Sequence, residues 1–532
     1  MGLDWNAAWR QRVLPTLADE TWDLIVIGGG ISGAGILREA ARRGWRCLLL
    51  EQRDFAWGTS SRSSKMVHGG LRYIAKGQWR LTRDSVRERQ RLLDEAPGLV
   101  EPMSFMMPHY RGGFPGPRVL GGLLSIYDAL AGRRSHRFHD AQQLRYLAPG
   151  VKEDDLLGGT CFVDALTDDA RLVMRVLGEA RADGAVVLNG VRVQQLLREE
   201  GRVCGVQVED CEGGGLLTLR CGVLAVATGA WAERLRLPDA PRQLRPLRGS
   251  HLLLPGWRLP VAQAFTFLHE RDRRPVFVFP WEGATVVGTT DLDHLGDLDQ
   301  SASISFDELD YLLAACSQQF PQAEVVAADV LSTWSGVRPV VGSAAGELKP
   351  SNETREHVLW QEPGCVTLAG GKLTTFRPQA IEVLKACASM LDRPFNDDAA
   401  PVFAVVPPLA IPGLSANQCR RLAGRHGRDL PRLAKLLVEL GHDTVGGTDT
   451  LWVELAFACE AEMVLHLDDL LLRRTRLGLL LPRGAEDYWP AIRRLCQPRL
   501  GWDDEHWQQE LQRYRALWQH HHGLPCSRVE HP

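Results

Sequence analysis

WDLIVIGGGISGAG, residues 22–35, sets an unbroken apolar run directly before a glycine-rich turn. Leu24 to Ile27 have the continuous hydrophobicity of a strand buried on both faces of a parallel sheet. Gly28, Gly30 and Gly33 then give G-x-G-x-x-G, with Ile31 and Ser32 inside the turn. Residues 36–43 continue as a helix that stops at Gly44, and Cys47 to Leu50 form a second apolar run closing on Glu51 and Gln52. In this arrangement the first glycine permits the tight turn, the second lets the main chain approach a pyrophosphate, and the third packs helix on strand. The helix start offers unpaired N–H groups and a partial positive charge to phosphates. An acidic residue about 20 positions past the glycines accepts hydrogen bonds from ribose hydroxyls, and Glu51 in that place argues against a 2′-phosphate. Strand, turn, helix, second strand and acid together predict a dinucleotide-binding unit; alone they leave NAD and FAD open.

Two later segments extend the unit. VLAVATGAW, 223–231, is an apolar strand ending on small residues at Ala227, Thr228 and Gly229, a close that suits main chain passing beside a cofactor. VTLAGGKLTTF, 366–376, is a strand, a glycine pair, then threonines opening a helix over 377–391, a second place ready for an anion. The nucleotide-binding domain is therefore predicted in three pieces, 20–95, 165–248 and 330–395. Short strands with proline, glycine and charged breaks (242–256, 262–270, 275–281, 284–291) predict an antiparallel sheet, so 96–164 and 249–329 are assigned to a substrate-binding domain. After the proline-rich stretch 399–413 the pattern turns helical, most clearly at 451–481, and 405–532 reads as an all-helical C-terminal domain. The fold class is α/β: a discontinuous Rossmann-like domain, an antiparallel-sheet domain and a helical cap.

Composition removes several functions. Formal net charge is −3, with 24% charged and 45% apolar residues, so there is no nucleic-acid signature in the whole chain. No run long enough to span a bilayer is present and the N-terminus lacks a signal-peptide core; the expectation is a cytoplasmic protein that can still lie on a membrane. The 12 cysteines include no C-x-x-C pair, which predicts small buried hydrophobes in a reducing compartment and no metal. One stretch is odd. SSRSSKMVHGGLRY, 60–73, packs serines, a lysine, a histidine and two glycines into a segment with neither helix nor strand period.

These pieces together resemble the aerobic, FAD-dependent glycerol-3-phosphate dehydrogenases, membrane-associated flavoproteins. The motifs that carry it are DLIVIGGGISGAG, TSSRSSKMVHGGLRY, VATGAW, RGSHLLLP, GTTDLDHLGD, SGVRP and GGKLTTFR, in the family's order over about residues 20–500, with EAEMVLHLDDLLLRRTRLGL matching its helical cap. The resemblance implies noncovalently bound FAD. Thr59, Ser60, Ser63, Ser64 and Lys65 would wrap the pyrophosphate and ribityl chain, Gly69 and Gly70 would lie against the isoalloxazine ring, and His68, Trp231, Gly336, Gly371, Leu373 and Thr374 complete the cofactor set.

The reaction so implied is oxidation of sn-glycerol 3-phosphate to dihydroxyacetone phosphate, hydride passing from C2 to flavin N5. Arg338, with Arg72 and Arg355, is nominated to grip the phosphate, since arginine forks suit it; Tyr73 and Thr290 join the substrate set. His251 is the first choice for the proton acceptor and His68 the second. Lys372 would stabilise negative charge on the substrate alkoxide or on the reduced flavin. The resemblance further implies ubiquinone as acceptor, peripheral attachment to the inner membrane, and a homodimer. Helix 118–137, with Leu120, Leu123, Leu124, Tyr127 and Leu130 before Arg133, Arg134 and Arg137, is a lipid-face candidate or a core-packed helix with a basic end. Arg80, Arg83, Arg87 and Arg91 line one face of a second helix, and the arm before residue 20 stays unassigned. Phe376, where relatives also carry tyrosine, and Arg62, where they often have a small residue, depart from the pattern. Alternatives on the same residues are an oxygen-using glycerol-3-phosphate oxidase, an amine or amino-acid oxidase, and a non-catalytic flavin-binding scaffold.

Overall fold

The computed structural model describes residues 4–71, 74, 79–236, 244–342, 356–398 and 400–525. Arg72, Tyr73 and Arg355 lie outside the described residues.

The apolar run that opens the sequence becomes the strand Thr21–Ile27 at the centre of the first sheet. It pairs in parallel with Cys47–Leu50 on one side and Leu216–Val226 on the other. Val186–Leu188 and Cys365–Ala369 extend the parallel order outward. Ile27 stands in register with both Leu50 and Val226, so the three chain turns that follow these strands meet at one edge. The helices Ile31–Ala41, Asp169–Ala182 and Phe376–Met390 pack with this sheet, and Leu24, Ile25, Val26, Leu48 and Leu49 are fully buried in the resulting core.

The second sheet joins Leu244–Pro255, Ala284–Gly288, Pro275–Trp281 and Ala264–Leu268 by antiparallel pairing, then continues through Val100–Tyr110 and Leu156–Thr167. The sheet is antiparallel, as the sequence predicts, except where Val100–Tyr110 meets Ala264–Leu268 in parallel. Two segments expected in the nucleotide unit pair here instead. Ser332–Val341 runs along Leu244 to Leu253, setting Trp334 opposite His251 and Arg338 opposite Leu247. Met66–Val67 pairs with Ala165–Leu166. Strand pairing across such distances in sequence is a tertiary choice that local pattern does not carry.

The chain beyond residue 405 is helical, from Ala416–His426 to Asp504–His521. Its apolar side chains share one core with Phe279, Trp281 and Trp334 of the second sheet. Buried ion pairs bind it to the nucleotide unit: Arg474 reaches Asp54 at 2.7 Å, and Arg425 reaches Asp168 at 3.2 Å. The N-terminal arm, unassigned by sequence, is a clasp over the same joint. Trp5 is buried, donates from Nε1 to Val187 O at 3.1 Å, and accepts from the Met463 amide at 2.7 Å.

Of the two readings of 118–137, the leucine stripe takes the core-packed one, with a basic end. In the helix Pro117–Ala131, Leu120, Leu124 and Tyr127 are buried and Leu123 and Leu130 half-buried, so the stripe faces the core. Val119 and Ile126 are exposed on the other side, with Arg133, Arg134 and Arg137 exposed after it. On the neighbouring helix Trp79–Glu95, Arg83 and Arg87 are exposed while Arg91 pairs with Glu95. Among the described residues no helix is long and apolar enough to cross a membrane.

Candidate active site

The edge where the three turns meet opens into a groove of about 410 Å³. Gly28, Gly30, Ile31 and Ser32 form its floor, Ala227, Thr228 and Gly229 one flank, and Gly371, Lys372 and Leu373 another. The glycines are there for steric reasons. Gly28 has φ +110°, and a Cβ on it would stand 2.5 Å from Ala227 O. A Cβ on Gly33 would stand 1.9 Å from Gly28 O, the helix-on-strand contact that the third glycine permits. Gly371, at φ +100°, backs onto the Gln379 side-chain amide in the same way. Ser60 reaches over the turn, its Oγ accepting from the Ile31 amide at 3.0 Å.

Glu51 lines the groove with Gln52, but its carboxylate also has an internal task. It accepts from the Gly29 amide at 2.7 Å and from the Arg53 amide at 2.9 Å. Burial pushes its pKa up, opposed by those two hydrogen bonds. It therefore braces the glycine turn as well as lining the groove.

The serine-rich segment divides its labour. Thr59, Ser60 and Ser63 line the groove. Thr59 Oγ1 is tied to Val337 O, and the Ser63 hydroxyl donates to Asp169 at 2.7 Å. Ser64 turns the other way, its Oγ 2.9 Å from His251 Nε2. Lys65 does not face the groove: it is fully buried at φ +60°, and its Nζ donates to Ser61 O at 2.7 Å and Asp169 at 2.8 Å. Burial, only partly offset by Asp169, pushes its pKa down to about 8. Its job is structural, holding the serine loop to the helix Asp169–Ala182. Gly336 lets the second sheet approach that loop, since a Cβ there would stand 2.6 Å from Arg62 O. Arg62 points outward from the cofactor side, donating to Ser301 Oγ at 2.9 Å and lying over Trp57.

Sequence reasoning misses part of the lining. Trp57, Val193, Arg192, Arg234 and Pro339 all border the groove. The hairpin that carries Val193 has no motif, and its place follows only from the pairing of Val191–Glu199 with Arg202–Asp210. Trp57 stands just before the serine run and is the one missed residue with a positional signal.

Toward the second sheet the groove meets a cluster of charges. Arg338 donates to Asp291 at 3.2 Å and to Thr289 Oγ1 at 3.2 Å, and Arg274 reaches the other Asp291 oxygen at 3.1 Å. Asp291, which in sequence looks like a turn cap, is buried between two guanidinium groups. Thr290 donates to the buried Glu308 at 2.7 Å and accepts from the Ser250 amide, so its hydroxyl is internal and organises this wall. His251 is 1% exposed and stacks on Trp334 at 4.8 Å. Burial first, then Arg338 and Lys65, hold its pKa well below the usual histidine range. The ring is neutral near neutrality and can accept a proton. His68 is half-buried after Met66–Val67, Gly69 is buried, and Gly70 has φ +78°. Thr374 is buried in the turn Leu373–Thr375 that opens the helix Phe376–Met390.

A ligand with a pyrophosphate and an aromatic system fits this groove. The main chain is bared by three glycines at a helix start, and Thr228 Oγ1 is buried there without a partner among the described residues. An orphaned hydroxyl of that kind calls for a bound acceptor or donor. A model of the FAD dependent oxidoreductases matches residues 23–377, and one of the C-terminal domain of alpha-glycerophosphate oxidase matches 365–507. The aerobic glycerol-3-phosphate dehydrogenase of Staphylococcus haemolyticus is 32% identical over 88% of each chain. Glycerol-3-phosphate dehydrogenase 2 of Mycobacterium tuberculosis is 34% identical over 96% of this chain and 89% of its own. The chain belongs to the FAD-dependent glycerol-3-phosphate dehydrogenase family. Its cofactor is FAD. The solved structure of the family's Bacillus halodurans glycerol-3-phosphate dehydrogenase, complexed with FAD, superimposes with a TM-score of 0.78 at 26% identity over the full length of both. Within the family fold, the nucleotide sheet, the second sheet and the helical C-terminal region are the three parts described above.

Proposed function

We propose that the protein oxidises sn-glycerol 3-phosphate to dihydroxyacetone phosphate. The observation that carries this reading is the Arg274–Asp291–Arg338 cluster beside His251, at the substrate end of the flavin groove. Two guanidinium groups flank one carboxylate, and arginine forks of this kind suit a phosphate dianion. An amino-acid substrate would need only a single carboxylate grip.

FAD, bound noncovalently along the glycine turns, supplies the two-electron acceptor for the hydride that leaves C2. The chain's residues do the rest. Arg338 holds the phosphate, and Asp291 fixes the plane of its guanidinium. His251, whose ring is neutral, takes the C2 hydroxyl proton on one ring nitrogen, and Ser64 stands 2.9 Å from its Nε2 as a hydrogen-bond partner. His68, adjoining the flavin-facing glycines, is the second site at which the proton could be taken. Lys372, lining the groove, offsets the negative charge that develops. Arg72 and Arg355 are assigned to the phosphate grip, and Tyr73 to the substrate side, on the sequence alone.

Electrons then pass to a membrane quinone. Exposed Phe114, Val119, Ile126 and Phe138 stand among Arg118, Arg133, Arg134 and Arg137, and this apolar–basic patch supports docking on an anionic membrane surface. The experiment is anaerobic addition of sn-glycerol 3-phosphate to the holoprotein, watching the oxidised-flavin absorbance at about 450 nm. Bleaching by this compound and not by glycine or sarcosine is the expected result. Persistent absorbance would sink the reading, and stoichiometric hydrogen peroxide on admitting air would move the acceptor from quinone to oxygen.

A further inference from the structure

Two buried polar side chains accept from one main-chain amide of the flavin-facing segment, and a third, Arg89, ties those two together. The Gly69 N–H donates to Tyr127 Oη at 3.0 Å and, more weakly, to Asp164 Oδ1 at 3.3 Å. Tyr127 comes from the helix Pro117–Ala131, Asp164 from the strand Leu156–Thr167, and Arg89 from the helix Trp79–Glu95. Tyr127 donates its own proton to Asp164 at 2.6 Å and accepts from Arg89 Nη1 at 2.7 Å; Arg89 is also paired with Asp164. The tyrosine oxygen thus makes one donation and accepts two, which exhausts its capacity. None of the three residues is more than 6% exposed.

We infer that Tyr127 is a positioning residue, fixing the height of the Gly69–Gly70 main chain against the isoalloxazine ring. The inference rests on the assignment of these glycines to the flavin face. Stability alone is a poor reason for such a cluster, because a buried ion pair returns little more than well-packed apolar side chains would. What it gives is a single defined position. Gly69 has no room for a side chain: a Cβ would stand 2.3 Å from Tyr127 Oη and 2.4 Å from Val86 Cγ2. The helix that carries Arg89 and Val86 also packs on the turn Leu373–Thr375, whose Leu373 lines the groove. One helix therefore braces both the Gly69 segment and that flank of the groove. Burial and the neighbouring Asp164 push the Tyr127 pKa well up, which keeps the hydroxyl protonated and the network intact over the working pH range. Hydride transfer is steeply sensitive to distance, and a displacement of about 1 Å can cost on the order of a hundredfold.

The test compares the Tyr127→Phe holoprotein with a packing control, Leu130→Ala, which trims a half-buried neighbour of the same apolar cluster. Phenylalanine keeps the ring and removes only the oxygen. The expected result is full FAD content, flavin reduction by sn-glycerol 3-phosphate slowed about tenfold with KM within about twofold, and an altered visible circular-dichroism band of the bound flavin. Leu130→Ala should lower the unfolding temperature and leave rate and band as in the parent. A Tyr127→Phe flavin with parental band and rate would overturn the inference, as would rate losses in both variants that track their stability. If sn-glycerol 3-phosphate fails to reduce even the parent, the functional reading falls, while the flavin band and midpoint potential still decide the positioning role.

Discussion

The cofactor end of the groove and the end proposed for the substrate are built on different principles. The cofactor end is main chain: glycines at turns, a helix start, and amides that accept no substitute. Each part lies within a few residues of its partner or at the end of an adjacent parallel strand. The substrate end is side chain: Arg338, Asp291, Arg274, Glu308 and His251 come from separate strands, a turn and a helix, and are brought together only by the second sheet. A main-chain site fails by steric exclusion, all at once. A side-chain site fails one partner at a time, and its losses measure what each contact contributes.

The largest effect should break the first kind of site. Gly33→Ala drives a methyl group to 1.9 Å from Gly28 O, against main chain that has no freedom to yield. Purified protein should carry almost no flavin, read as the ratio of absorbance at about 450 nm to that of protein. Normal flavin content would mean that the turn relaxes and the main-chain account is wrong. Next comes Arg338→Ala, which removes the phosphate grip and leaves Asp291 with Arg274 alone. FAD should stay bound while kcat/KM falls by about a hundredfold or more; unchanged kinetics would take Arg338 out of the site. Asp291→Asn is the sharper probe of the side-chain idea. It keeps the shape and an acceptor but removes the charge that orients both guanidinium groups, so a loss of about tenfold in kcat/KM is expected, mostly in KM. A loss in kcat alone would place Asp291 in chemistry rather than in binding.

The same contrast explains which parts of the molecule are legible in the sequence. The glycine turn, its flanking strands and the Ala-Thr-Gly flank are legible because covalent spacing fixes them: Gly28, Gly30 and Gly33 must be where they are for one turn and one helix to form. His251, Arg338 and Lys372 are reached through motifs; of these Lys372 lines the groove, and Arg338 directly precedes Pro339, which also does. Asp291 escapes notice because an aspartate after two threonines has the same local look whether it caps a turn or bridges two arginines. Lys65 misleads for a related reason. Its neighbours in sequence face the cofactor, yet Asp169, remote in sequence, draws its ammonium group inward. The strand Ser332–Val341 has a burial pattern that either sheet would accept, and only its partner Leu244–Pro255 decides the matter.

The smallest effect lies at the joint between the nucleotide unit and the C-terminal helices, where histidines of opposite character stand around one polar cavity. His466 bridges Glu510 at 3.1 Å and Glu212 at 3.3 Å, and despite the opposing pull of burial these hydrogen bonds raise its pKa to about 11. His521 is pushed down to about 4, by burial first and then by His520 and Arg62. A histidine whose pKa is raised by folding contributes stability that is complete below its unfolded value of about 6.5 and is lost as pH climbs toward the folded value. One whose pKa is lowered is neutral in the fold, so it favours the folded state above about 6.5 and opposes it as pH falls. His466→Gln should therefore destabilise most near pH 6 and progressively less toward pH 9, while His521→Gln should relieve acid sensitivity below about pH 6 and change little above. Because the His466 side chain is 33% exposed, solvent screens the pair and the shift in unfolding temperature will be modest. Thermal melts of the holoprotein at three pH values separate the two signs. A His466→Gln deficit that grows with pH would mean that the ring is neutral in the fold and that its two carboxylates are held by other donors.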